Sequence, residues 1–199
     1  MKNIFIKYKN QILIILLGIL LGIISKWLDN LSIDDSIWWQ YIIGVLDLRN
    51  ILSEMPIWIL IALIISIYSK KPISSSINVF IFFLSMTISY HLYSIFICEF
   101  NPFRYMLIWY GITIISPVLA YICWYSKKDN NLSIIIKSII ISTMLIFCFS
   151  IGPWYFYLNG IINLLIFITT IIVLYTNPKN MAYSIIIGIV LSYLVKSIL

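Results

Sequence analysis

Ile12-Leu13-Ile14-Ile15-Leu16-Leu17-Gly18-Ile19-Leu20-Leu21-Gly22-Ile23-Ile24-Ser25 carries no charge, and its one side-chain heteroatom is the final serine hydroxyl. A helix rises about 1.5 Å per residue, so crossing a hydrocarbon layer about 30 Å thick takes roughly 17–25 apolar residues. Extended back through Phe5, this run is long enough. Six further apolar runs follow, each ended by charges, prolines or asparagine clusters. The expected spans are about 8–26, 55–69, 73–98, 103–126, 132–150, 155–176 and 181–197. The sequence therefore predicts an all-α, polytopic membrane helical bundle of about seven transmembrane helices, with residues 1–199 forming a single integral membrane domain.

Composition points the same way. Of the 199 residues 62% are hydrophobic and 10% charged, and mean hydropathy is +1.05. Soluble chains carry about 25% charged and about 45–50% apolar residues. A soluble core of this size has too little polar surface to cover so much apolar side chain. That excludes a soluble enzyme, a disordered protein and a nucleic-acid-binding domain. Isoleucine makes up about a quarter of the chain and arginine occurs only at 49 and 104, a bias that fits an AT-rich bacterial genome.

Lysine and arginine in short loops set orientation. With the N-terminus cytoplasmic, the inner segments hold Lys2, Lys7, Lys9, Lys70, Lys71, Lys127, Lys128, Lys137 and Lys179, and the outer ones Lys26, Arg49, Arg104 and Lys196. Asp29, Asp34, Asp35, Asp47, Glu54 and Glu99 then fall outside and Asp129 inside. The stretch Ile37–Leu46, with Trp38, Trp39 and Tyr41, is too short to span and rich in the rings that favour the headgroup boundary. A short interfacial or re-entrant helix near 36–48 is expected, with an eighth span as the alternative. Lys2, Lys7 and Lys9 ahead of an apolar run resemble a signal peptide. No small-x-small cleavage site follows, so a retained span is expected.

Small residues recur four apart, on one helix face, at Gly18/Gly22, Ala62/Ser66, Ser85/Ser89, Ser116/Ala120, Ser138/Ser142 and Ser184/Gly188/Ser192. Helices in lipid associate by close packing at such positions, although the same spacing suits a polar transport path. Tyr68-Ser69-Lys70-Lys71 recurs as Tyr125-Ser126-Lys127-Lys128, with a weaker echo at Tyr175-Thr176-Asn177-Pro178. Three like-oriented hairpins after a lone first helix would produce this. So would any set of cytoplasmic membrane boundaries.

Candidate ligand-binding residues gather in the outer half. Glu54 lies about 24 Å from Lys70 along a helix, less than the bilayer core, so its carboxylate is drawn to the boundary and needs a partner. Arg49 and Arg104 are available for an ion pair closing the outer face; a cationic or polar ligand is the alternative. His91, the one histidine, has Tyr90, Tyr93, Phe96 and Glu99 nearby, as a relay or ligand contact or as an interfacial ring. Asn78, Asn159 and Asn163 need partners inside the membrane. For Asn163 that means another helix or a polar cavity. Outer rings such as Trp154 belong to an aromatic belt or to a pocket. A site is expected near Glu54, His91, Asn163, Trp154 and Arg104.

Several chemistries lack their residues. There is no His-Glu-x-x-His, no Gly-x-Ser-x-Gly elbow, no phosphate-cradling glycine loop and no zinc-spaced Cys/His set. Cys98, Cys123 and Cys148 read as packing residues. No catalytic residue, metal or cofactor is expected, and the chain does not read as an enzyme.

The segments Ile23-Ile24-Ser25-Lys26-Trp27-Leu28-Asp29, Trp58 through Lys70, and Ile77-Asn78-Val79-Phe80-Ile81-Phe82-Phe83-Leu84 resemble a family of small, uncharacterised multi-pass membrane proteins of Gram-positive bacteria. The resemblance covers about two thirds of the chain. It implies a multi-pass protein of the bacterial cytoplasmic membrane and brings no activity and no site residue. The expected function is a small transporter, or a substrate-binding membrane subunit, with its site in the outer half. A non-catalytic accessory, scaffold or immunity-type membrane protein is the alternative. The implied partners are the lipid bilayer, a small-molecule ligand and a membrane-protein partner, with no nucleic acid.

Overall fold

The computed structural model describes residues 2–34, 36–152 and 154–198, with side chains from residue 10 onward. Asp35, one of the acids in the orientation count, lies outside the described residues, as do the side chains of Lys2, Lys7 and Lys9. The elements are α1 (Lys2–Asp29), α2 (Trp38–Val45), α3 (Leu48–Ser53), α4 (Met55–Ile67), α5 (Pro72–Phe96), α6 (Phe103–Cys123) and a 3-10 turn (Trp124–Lys127). They continue with α7 (Asn131–Cys148), β1 (Phe149–Ile151), β2 (Phe156–Leu158), α8 (Ile161–Leu174) and α9 (Pro178–Ile198). The protein is a helical bundle. Five helices, in α1, α5, α6 with its 3-10 turn, α7 and α9, are long and apolar enough to cross a membrane. The helices α4 and α8, with 13 and 14 residues, reach only about 20 Å.

Burial follows the logic of a lipid-facing molecule. Ser75, Thr87, Ser94, Thr170, Ser184, Ser192 and Lys137 are fully buried, while Leu16, Leu20, Ile114, Val118, Ile172 and Ile186 point outward. Several buried hydroxyls satisfy themselves on a carbonyl of their own helix, as Thr170 does on Ile166 O (2.9 Å) and Ser184 on Asn180 O (2.9 Å), and others reach a neighbouring element, as Ser133 reaches Ser126 O (2.6 Å). Apolar side chains therefore face outward at no cost where the solvent is hydrocarbon.

The small-residue faces meet pairwise. Helix α1 lies against α5 with Gly18 beside Phe82 and Ser85, and Gly22 beside Met86 and Ser89. A Cβ at Gly18 would sit 2.6 Å from Phe82 O, so only glycine lets the two backbones approach this closely. Helix α9 lies against α7 in the same parallel sense, with Ser184 reaching Ile134 O (3.4 Å) and Gly188 packed on Ser138 and Ile141. The Ala62/Ser66 face meets Ser116/Ala120, where Ser66 Oγ donates to Ala120 O (2.8 Å) and Ser75 Oγ joins the same carbonyl (3.0 Å). Within α6, Pro117 has no N–H to offer the carbonyl four residues back, and Ser116 Oγ supplies the missing donor to Thr113 O (2.9 Å).

Two units result, each a long helix, an insertion, a short helix and a second long helix: α1, α2–α3, α4, α5 and then α7, β1–β2, α8, α9. Helix α6 links them. The same elements also group as three hairpins, α4–α5, α6–α7 and α8–α9, after a lone α1. The hydrophobic core is likewise in two parts, and α4 serves both. Its Trp58 packs with Phe82, Met106 and Trp109, while its Leu60 and Leu63 pack with Ile140, Met144, Ile166 and Leu174.

Two boundaries differ from expectation. Residues 155–160, read as the start of the sixth span, are strand and turn. Phe149, Ser150 and Ile151 pair antiparallel with Leu158, Tyr157 and Phe156. Gly160, at φ 146, cannot continue a helix backwards, so α8 begins at Ile161. The second difference is Lys137, counted among the inner loop charges. It lies within α7, fully buried, with Nζ donating to Thr176 Oγ1 (2.6 Å).

The three basic turns lie together at one end. Trp124 Nε1 donates to Ser69 O (2.8 Å), Lys127 Nζ to Tyr175 O (3.2 Å), and Asn180 Nδ2 to Asp129 Oδ1 (2.6 Å). The Lys70–Lys71 and Lys127–Lys128 turns thus share a face of the bundle.

Candidate functional site

At the opposite end α1, α3, α5 and α6 surround a cleft of about 950 Å³. Its walls follow from how those helices end. Helix α1 runs on past its apolar stretch to Lys26 and Asp29. Beyond α5, Glu99 takes a left-handed conformation (φ 52) that turns the chain, and Phe100 and Asn101 then form part of the cleft wall. Asp47, also left-handed (φ 52), starts α3 and places Arg49, Asn50 and Ser53 on the opposite wall.

Asp29 is the structural hinge of this end. Its Oδ2 accepts from Tyr90 OH (2.6 Å) and its Oδ1 from Ser53 Oγ (2.8 Å), tying α1 to α5 and to α3. Lys26, 8% exposed, holds its ammonium 5.5 Å from the Tyr90 ring centroid and 6.0 Å from that of Phe100, a cation–π arrangement. In the neighbouring loop the side chain and backbone N–H of Ser36 both donate to Asp34, and these bonds hold its carboxyl below the ordinary carboxylate value.

The expected site residues do not form one cluster. Glu54 and Asn163 do meet: Asn163 Nδ2 donates to Glu54 Oε2 (3.2 Å), joining the N-terminal ends of α4 and α8. Glu54's observed partner is therefore an amide on the other unit; Arg49 and Arg104, the expected ion-pair partners, line the cleft. Asn163 is buried, and its Oδ1 has no partner among the described residues. His91 stands apart from that pair, bonded through Nδ1 to Tyr110 OH (2.9 Å) and through Nε2 to Asn101 Oδ1 (3.0 Å), a clasp between α5 and the turn into α6. Trp154, 96% exposed at the hairpin tip, joins neither.

Asn78 Nδ2 donates to Ser69 Oγ (3.0 Å), while its buried Oδ1, like that of Asn163, has no partner among the described residues. Asn159 closes the hairpin through Phe147 O (3.2 Å) and Ser150 Oγ (2.6 Å). Among the described residues no three His, Cys, Asp or Glu side chains come together in a way that could hold a metal ion. Sequence reasoning missed Lys26 and Asp29 as site residues. The signal available was a Lys-x-x-Asp pair closing an apolar helix, charged groups placed one turn apart where the membrane ends.

Compared with known family models, characterised proteins and solved structures, the chain matches none.

Proposed function

We propose that the chain is a seven-span protein of the bacterial cytoplasmic membrane, N-terminus and lysine-rich turns inside, acting as a small transporter or the substrate-binding membrane subunit of a larger one. It is not an enzyme. The observation that carries this reading is the joint between α4 and α8. Two helices too short for a full bilayer start side by side, one from each unit, with Glu54 bonded to Asn163 across the join. Short helices in corresponding positions of two repeated units mark binding sites in membrane transporters. An exposed carboxylate at the outer boundary, held by an amide of the other unit, and a buried amide oxygen without a partner among the described residues suit a ligand site. The positive-inside rule supports the orientation, since the three basic turns share one end.

A screen of small polar metabolites against the detergent-purified protein, read by its melting temperature, tests this. At least one compound should raise Tm, and Glu54→Ala or Asn163→Ala should abolish the rise. Failure of every compound, or a rise that survives both variants, would end the transport reading. Membrane-impermeant labelling of single cysteines placed at Lys70, Lys127 and Ser32 tests the topology: in intact cells only the last should react.

The second reading, an accessory or scaffold subunit, draws on a different observation. Where α6 and α7 part, they leave an apolar groove of about 410 Å³ floored by Trp58, Ala62 and Leu63 of α4. Co-purification of a stoichiometric membrane partner would favour it.

A further inference from the structure

We propose that the cleft between α1, α3, α5 and α6 binds an anionic group, a carboxylate or a phosphate, carried on a partly aromatic or apolar body. The proposal stands apart from the transport reading, because it concerns a different set of side chains from the Glu54–Asn163 joint.

Charge sorting is the first argument. The loops at this end carry Asp34, Asp47 and Glu99, yet none of these lines the cleft. Among the described residues, the charged groups that do line it are Lys26, Arg49, Arg104 and Asp29. Three cations against one acid, in a concave site with low-dielectric walls, concentrate a positive potential there.

Second, the one acid is already engaged. Both oxygens of Asp29 accept short hydrogen bonds, from Tyr90 OH (2.6 Å) and Ser53 Oγ (2.8 Å). Its geometry serves to hold the wall together.

Third, Lys26 is built in. A lysine at 8% exposure, with its ammonium over the Tyr90 and Phe100 faces, is a fixed positive charge close to the cleft surface. Arg49 and Arg104 bring planar donor forks, which match carboxylate and phosphate oxygens in pairs. The rings then set the rest of the ligand: with Tyr90 and Phe100 in the wall, a flat or apolar body is bound better than a bare ion. The volume of about 950 Å³ accommodates a molecule of ordinary metabolite size, or the headgroup of an anionic lipid.

Those two sources share one chemistry, and the experiment separates them. The full chain is placed in nanodiscs of phosphatidylcholine and its unfolding followed by tryptophan fluorescence. Phenyl phosphate and benzoate serve as anionic probes and benzylamine as the cationic control. A parallel arm replaces a third of the lipid with phosphatidylglycerol and adds no soluble probe. At a hundredfold excess over Kd a soluble anion should raise Tm by about 5 °C or more. The Arg49→Gln/Arg104→Gln double variant should lose most of that rise, whereas Lys70→Gln/Lys71→Gln, which removes the same charge at the other end, should keep it.

A rise with a soluble anion in neutral lipid identifies a water-borne ligand. A rise confined to the phosphatidylglycerol arm, and lost in the Arg49/Arg104 variant, identifies a lipid headgroup. Either result upholds the proposal. Benzylamine matching the anions, an undiminished rise in the Arg49/Arg104 variant, or no rise in either arm overturns it. Should the double variant fold poorly, Lys26→Gln provides the second variant and should show the same loss.

Discussion

In the first unit the parallel long helices α1 and α5 meet at Gly18 and Gly22, and the insertion that follows α1 is helical and leaves a cleft open above α5. In the second unit α7 and α9 meet at Gly188, and the insertion that follows α7 is a hairpin that closes its own end. Phe149 and Ile151, on the first strand of that hairpin, are buried, and Phe149 stacks on Phe156 with centroids 4.9 Å apart. The polar investment is reversed as well. The first unit carries its bonded charges, the acids Asp29, Asp34, Asp47 and Glu54, at the cleft end. The second carries its own, Lys137 with Thr176 and Asp129 with Asn177 and Asn180, at the end of the basic turns. One scaffold plan therefore presents an open polar face at one end and a sealed, tied face at the other. The functional search belongs to the open face, where groups remain that nothing in the fold uses up.

The comparison breaks most readily at the glycines. Gly22→Leu should wedge α1 away from the α5 backbone at Met86 O and cost about 3 kcal/mol, the upper part of the usual overpacking range. Gly188→Ala should cost about 1 kcal/mol, the lower end of the same range, because the added methyl meets Ile141 at 2.9 Å and Ser138 O at 3.1 Å, so that α7 has to shift by a small amount. Thermal or denaturant unfolding in detergent measures both, and an alanine cost at Gly188 matching the leucine cost at Gly22 would show the α7–α9 contact to be the tighter one.

The tied end makes the next largest effect. Thr176→Val takes away Lys137's acceptor and leaves a buried ammonium short of a partner, a loss of about 2 kcal/mol. Lys137→Met removes the charge altogether and should change stability by less than about 1 kcal/mol. If the lysine variant proved the more damaging, the ammonium would have a use beyond the Thr176 bond.

The smallest effect concerns the loop beside the cleft. The depressed pKa of Asp34 stabilises the loop above the unfolded value near 3.8, and that contribution disappears as pH falls through the lower folded value. Ser36→Ala should move the Asp34 titration, followed by NMR, upward toward 3.8. An unmoved titration would mean that something other than Ser36 holds the carboxylate.

Much of this architecture is legible in the sequence because it depends on local signals. Lys70-Lys71-Pro72 and Lys127-Lys128-Asp129 end helices wherever they stand, and the four-residue spacing of small side chains specifies faces that must find each other. Glu54 is flagged by length alone, since a short α4 forces its carboxylate toward the boundary. What stays hidden depends on partners far away in the chain. The 109 residues between Glu54 and Asn163 leave no pattern that pairs them, so an arginine looks the better match on charge. The hairpin is hidden because most of Phe149–Leu158 is as apolar as the spans around it, and in the sequence Gly152-Pro153 and Gly160 read equally well as the loop between two spans. Lys137 reads as a boundary charge because a linear count cannot see that Thr176 waits beside it. The cleft is the least legible feature of all, assembled from side chains between 26 and 105 that share no spacing.

The brevity of α4 has an electrical consequence. Across most of a cell membrane the potential falls over the whole hydrocarbon thickness of about 30 Å. Were α4, 13 residues long, to cross the membrane as proposed with water reaching both of its ends, the drop beside it would be confined to about 20 Å. Each step along α4 would then take a larger share of the voltage than the same step along α1, so a charged species moving beside α4 would be driven by a steeper field than beside any of the five long helices.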